Sequence, residues 1–159
     1  MSQLSPQMFQ QVKTYLSPSQ DKLVSDVETI LNRLTSDDII NDYSFIVSPM
    51  AKTYEGYLKD LFLKIGVITE TDYESDRFRV GKTLNPSLRY KRFSVFQKLA
   101  DYHERGEELA EILWDAWKYG RNEIFHYFPN SIKNLSRQEA EDRISLLLTA
   151  IIKSGELFQ

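Results

Sequence analysis

Apolar positions recur along this chain at three- and four-residue spacing, the period of helices that bury one face. Ser5-Pro6 opens the first such segment, which is expected to reach about Leu16, where Ser17-Pro18-Ser19 breaks the chain. A second helix is predicted from about Gln20 to Leu34, with Leu23, Val27, Ile30, Leu31 and Leu34 on its buried face and Asp21, Asp26 and Glu28 on its solvated one. A short helix is expected from about Asp37 to Phe45. Ser48-Pro49 then reads as a start signal, a capping serine before a proline at the first helical position. The helix it opens should end near Gly66, with Met50, Tyr54, Tyr57, Leu58, Leu61 and Ile65 buried and Glu55 at the stripe's edge.

The periodicity fades between Asp76 and Phe93, where Gly81, Asn85 and Pro86 mark turns. Most of this stretch is expected to be loop, with Phe78-Arg79-Val80 a candidate short strand. A helix from about Phe93 to His103 follows, then a long one from about Glu107 to Phe128, stopped by Pro129-Asn130. Ser136 and Glu139 form a capping box for a last helix carrying Ala140, Ile144, Leu147, Leu148 and Ile151. The expected architecture is an all-α bundle of about five to seven helices, in a single domain over 1–159, with short connections.

Composition narrows the chemistry. At 159 residues and 42% hydrophobic, the chain can build a core without staples. It has no cysteine, which excludes disulfides, thiolate zinc sites and cysteine nucleophiles, and His103 and His126 are its only histidines. No metal site and no cofactor are expected. No apolar run is long enough to span a membrane and no signal peptide is visible, so a cytoplasmic location away from membranes is expected. A net charge of −3 argues against coating nucleic acid by bulk charge, although a cleft needs only a local basic patch. Arg77, Arg79, Lys82, Arg89, Lys91 and Arg92 supply one, with Tyr90 and Phe93 interleaved. Such a segment can grip phosphates and stack on bases. It can equally be a solvated connector.

The long predicted helix has a gap in its apolar stripe. Ala110, Leu113, Trp117, Ile124 and Phe128 leave one turn without an apolar residue, and Gly120-Arg121 fills it. Arg121 therefore points toward the core side, where a guanidinium needs a carboxylate or phosphate partner. Glu55 is the natural internal one, and Gly120 leaves space beside the arginine. Five residues turn an ideal helix through about 500°, which puts Arg121 and His126 about 140° apart. They converge only if the last turn is distorted or if two chains build the site. Asn122 and His126 share a face, below Tyr119 and Asp115.

Arg121-Asn122-Glu123-Ile124-Phe125-His126 resembles the signature of the HEPN superfamily, an arginine followed by a polar residue and, four to six residues on, a histidine. The superfamily is an all-helical bundle with this motif near the end of a late, long helix. Ser48-Pro49 through Tyr54-Glu55-Gly56-Tyr57, followed by the late arginine and histidine, also looks like the C-terminal toxin region of RNase LS-type toxins. Those toxins carry further N-terminal domains for which this chain has no room, so it would be a stand-alone relative or a fragment. The resemblance implies a metal-independent endoribonuclease whose active site forms where two copies of the motif meet in a homodimer, with a cognate antitoxin as a further partner. It implies His126 as acid and base, Arg121 as phosphate clamp, Asn122 orienting the scissile group and Glu55 holding Arg121. Tyr127 is then a candidate for base stacking, and the basic segment would guide RNA. The competing readings are a HEPN-fold binding or dimerisation module without catalysis, and an unrelated helical adaptor in which Arg121 and Glu55 pair for structure alone.

Overall fold

The computed structural model describes residues 4–126, 129 and 134–158, and every described element is helical. Ser17 caps α2 (Pro18–Arg33) through a reciprocal capping box with Gln20, and Ser5 caps α1 (Pro6–Lys13). Helix α3 (Ser44–Lys64) is the centre of the bundle, with α2 on one side and α8 (Arg137–Phe158) on another. Between α3 and the next long helix lie α4 (Glu70–Glu74), α5 (Val80–Leu84), a 3-10 turn (Pro86–Leu88) and α6 (Val95–Tyr102). Then Gly106–Trp117 continues through a π turn, Lys118–Asn122, into a last α-turn, Glu123–Phe125. These three run on without a break and together make one helix, α7, over 106–125. The described residues thus form eight helices, above the expected five to seven, because the stretch after α3 contributes α4 and α5.

Several boundaries differ from the sequence reading for identifiable reasons. The Asp37–Phe45 helix does not form, and α3 starts at Ser44, so Ser48-Pro49 lies inside it. Pro49 deprives the Phe45 carbonyl of its backbone partner, and Ser48 donates its hydroxyl to Ser44 O at 3.2 Å. The helix persists because Ile46 and Val47, before the proline, are as fully buried as Met50 and Ala51 after it. Burying each of the larger of these side chains contributes about 1.5–3 kcal/mol. Asp42 takes the capping role, accepting from Ser44 N, from Ser44 Oγ and from Leu135 N in the approach to α8. Burial pushes the Asp42 carboxyl upward, and these bonds outweigh it, leaving the group below its ordinary value.

The end of α3 was legible. Gly66 has φ +77°, Val67 N bonds Phe62 O at 3.0 Å and Gly66 N bonds Leu63 O at 3.1 Å, the Schellman closure that glycine permits. On α2 the buried face is centred on Val24 and Val27, while Leu23, Ile30, Leu31 and Leu34 are only partly covered. Phe78-Arg79-Val80 is not a strand, since Arg79 caps α5 and Val80 begins it. Ser136 and Glu139 form the expected box, Ser136 N to Glu139 Oε2 at 2.7 Å and Glu139 N to Ser136 Oγ at 3.2 Å. No helix among the described residues is long and apolar enough to cross a membrane.

Candidate functional site

The motif residues sit where α7 departs from α-geometry. Glu123 N reaches back five residues to Lys118 O. The Tyr119 carbonyl, which an α-turn would have paired with that N–H, accepts from Arg143 Nη1 at 2.8 Å, and Arg143 also pairs with Glu123 at 3.0 Å. Gly120 is buried against α8, where a Cβ would lie 2.6 Å from Leu147 Cδ2. The glycine therefore admits α8 and does not leave the open space expected beside Arg121. The turn holds one residue more than an α-turn, so everything after it is rotated by about 100° relative to an unbroken helix. The angle expected between Arg121 and His126 is void. The distortion falls in the π turn and not in the last turn, which is α, and His126, the first residue past α7, is exposed with extended backbone (φ −101°, ψ 131°).

Arg121 is half-buried and reaches back to α3. Its Nη2 lies 3.5 Å from Glu55 Oε2, the anticipated pair, and its Nη1 donates to Asn122 Oδ1 at 3.3 Å. Asn122 thus turns its amide oxygen to Arg121. The guanidinium carbon lies 4.9 Å from the Trp117 ring centroid and 5.4 Å from that of Phe125. Both polar contacts are long, and Nε is buried without a hydrogen-bond partner among the described residues. A guanidinium offers five donors, and the described residues engage few of this one's. With both partners about one-third exposed, the Glu55 pair orients the arginine more than it stabilises the fold.

A pocket of about 460 Å³ opens beside this group, lined by Leu23 of α2, Ser48, Pro49, Ala51, Lys52 and Glu55 of α3, and Arg121 and Phe125 of α7. Its walls are mainly apolar, with positive charge from Arg121 and Lys52 and one carboxylate. Such a pocket suits an anion with an apolar or aromatic extension. His126 lies outside its lining.

The Trp117 ring beneath Arg121 is itself held from two sides. Tyr54 of α3 packs with its ring centroid 6.4 Å away and donates its hydroxyl to Leu113 O at 2.8 Å. Burial pushes the Tyr54 phenol well above its ordinary pKa, so it stays a neutral donor. Gly81 of α5 lies against the indole edge, where a Cβ would meet Trp117 Nε1 at 2.2 Å.

The six basic residues are not one patch. Arg77, Arg79 and Lys82 border a hollow of about 240 Å³ with Phe78 and Phe93. Arg79 donates to the Asp76 and Phe78 carbonyls, and Lys82 lies over Phe93 at 4.9 Å. Arg89, Lys91 and Arg92 border a second hollow of about 500 Å³ with Tyr90 and Lys98. Arg89 is structurally engaged there: Nε donates to Gln97 Oε1 at 2.9 Å, Nη1 to Glu107 Oε1 at 2.7 Å, and the guanidinium covers Phe96. Tyr127 lies outside the described residues. The structure thus brings together Arg121, Asn122 and Glu55, and divides the basic residues between two hollows away from the pocket's lining.

Sequence reasoning took Leu23 for core alone and gave Lys52, Phe125 and Lys98 no place in a site. Lys52 and Phe125 had a signal available: one lies three residues before Glu55 and the other four after Arg121, both on shared helical faces. No family model matches the chain, and neither a curated protein nor a solved structure is significantly similar to it.

Proposed function

We propose that this protein is a metal-independent endoribonuclease of the HEPN type, cytoplasmic, acting as a homodimer and paired with an antitoxin. The observation that carries the proposal is Arg121: a guanidinium stacked on Trp117 and beside Phe125, with a buried Nε and unused donors, at the mouth of a pocket. Hydrogen-bond capacity at such a position is what a phosphoryl oxygen gathering negative charge requires. The π turn supports the reading too, since such turns concentrate at functional sites.

The ribose 2′-oxygen attacks the adjacent phosphorus and the bond to the 5′-oxygen breaks, leaving a cyclic phosphate and a 5′-hydroxyl. His126 takes the 2′-hydroxyl proton and a proton is returned to the leaving 5′-oxygen, the acid and base work of a positioned imidazole. Arg121 clamps the non-bridging oxygens, Glu55 pairs with it from α3, Asn122 orients the scissile group, and the partner copy's motif completes the cleft. Arg77, Arg79 and Lys82 receive the RNA strand, with Lys91 and Arg92 in the second hollow extending the track.

Cleavage of a labelled mixed-sequence RNA in EDTA tests this, comparing the wild type with Arg121→Ala and His126→Ala. Cutting that leaves cyclic phosphate ends and falls by about 100-fold or more in each folded variant is expected. Absence of cutting by a folded dimer would point instead to a binding module that uses the same pocket. A strict monomer at high concentration would remove the shared active site.

A further inference from the structure

We infer that Gly81 is a positioning residue for Arg121 and acts through Trp117; the activity arm of its test rests on the ribonuclease reading above. The indole edge occupies the place of a Gly81 side chain, with Nε1 2.2 Å, Cε2 2.8 Å and Cδ1 3.1 Å from where a Cβ would stand. Trp117 is 3% exposed, and the Tyr54 ring packs against it with centroids 6.4 Å apart. The ring is therefore held between α5 and α3, and its face carries the Arg121 guanidinium.

The hydrogen bonds of Arg121 are too few and too long to fix it. A 3.3 Å bond to a neighbouring residue and a 3.5 Å ion pair leave the plane of the guanidinium to the aromatic platform. A methyl group at position 81 has to move the indole, and a close-packed interior passes that displacement on to what lies against the ring.

Backbone geometry does not explain the glycine. Gly81 lies within α5, and among the described glycines only Gly66 has positive φ. In a helix alanine is the better former, so a loss caused by Gly81→Ala arises from the contact with Trp117. The same short helix carries Lys82 over Phe93, on the border of the basic hollow. Gly81 thus joins the RNA-receiving segment to the arginine's platform, and sets the spacing between the two.

Two measurements on Gly81→Ala, Trp117→Phe and the double variant test the inference. The first is the Arg121 Nε–Hε resonance in nitrogen-15 spectra, which a ring beneath the guanidinium shifts upfield. Gly81→Ala is expected to move it downfield, and adding Trp117→Phe, whose smaller ring vacates the edge facing Gly81, to bring it back toward the wild-type position. The second is cleavage kinetics on a mixed-sequence RNA oligonucleotide. Gly81→Ala is expected to lower kcat by about tenfold or more with little change in KM, because small misplacements at the chemistry cost rate more than binding, and the double variant is expected to recover part of that rate. An unmoved resonance in Gly81→Ala, or a double variant no better than the single one, overturns the inference. If Gly81→Ala does not fold, Trp117→Phe alone decides, since the Arg121 resonance must then move. If the wild type cuts no RNA, the ribonuclease reading fails and the resonance alone settles the platform.

Discussion

Among the arginines that lie over an aromatic ring, Arg121 sits 4.9 Å from Trp117 and Arg89 5.0 Å from Phe96. They differ in how closely their donors are engaged. Arg89 donates at 2.9 Å to Gln97 and at 2.7 Å to Glu107, and thereby ties the 3-10 segment to α6 and α7. Arg121 makes one long hydrogen bond and one long ion pair, keeps a buried Nε unpartnered and faces a pocket. Identical chemistry serves structure in one place and, in the proposed function, meets a phosphate in the other. The distinction lies in unsatisfied donors, which neither charge nor exposure reports.

The comparison breaks most easily at the charge-conserving substitution. Arg121→Lys keeps the charge but not the planar fork, and is expected to slow RNA cleavage by about 100-fold while the melting temperature holds. Arg89→Lys is expected to leave the cleavage rate unchanged. Equal losses in the two variants, measured side by side, would erase the difference between the two arginines.

A middle-sized effect separates the two hollows. Replacing Arg77, Arg79 and Lys82 together by glutamine should weaken binding of single-stranded RNA and flatten the slope of log affinity against log salt by about 2, at about 0.7 for each phosphate no longer neutralised. Arg89→Gln should leave that slope unchanged, because its donors are already engaged within the protein. A salt titration that ranks the two variants the other way would reassign the RNA track to the second hollow.

The smallest effect concerns stability. Glu107→Gln removes the charge from the Arg89 pair, whose side chains are 38% and 55% exposed, and should cost less than about 1 kcal/mol in chemical denaturation. A larger loss would mean that Arg89 holds the basic segment more firmly than its solvent exposure suggests.

Much of this arrangement could be read from residue order, for physical reasons that vary by element. The Arg121–Glu55 pair was legible because a polar residue interrupting a helical stripe needs an internal partner, and only Glu55 stood at the edge of a facing stripe. The Gly66 terminus and the Ser136–Glu139 box are local chemistry, complete within a few residues. Ser48-Pro49 misled because a local start signal lost to burial of Ile46 and Val47, which only the packed bundle reveals. Gly120 and Gly81 misled in the same way, their neighbours Leu147 and Trp117 being distant in sequence. The basic run read as one patch because composition carries no direction, whereas α5 and the 3-10 turn send its two halves into different hollows.

The π turn of α7 also has a consequence for how this protein can vary. A helix carrying one surplus residue between Lys118 and Asn122 is one deletion away from an ordinary helix. Removing that residue would keep the rod but change its phase, swinging Phe125 and the exit toward His126 by about 100° around the axis while Trp117 stays in place. Substitutions alter this site by degrees, whereas a single lost codon would re-aim it in one step. Arg143 and Gly120, which hold the surplus residue in place, therefore guard the reading frame of the site as much as its shape.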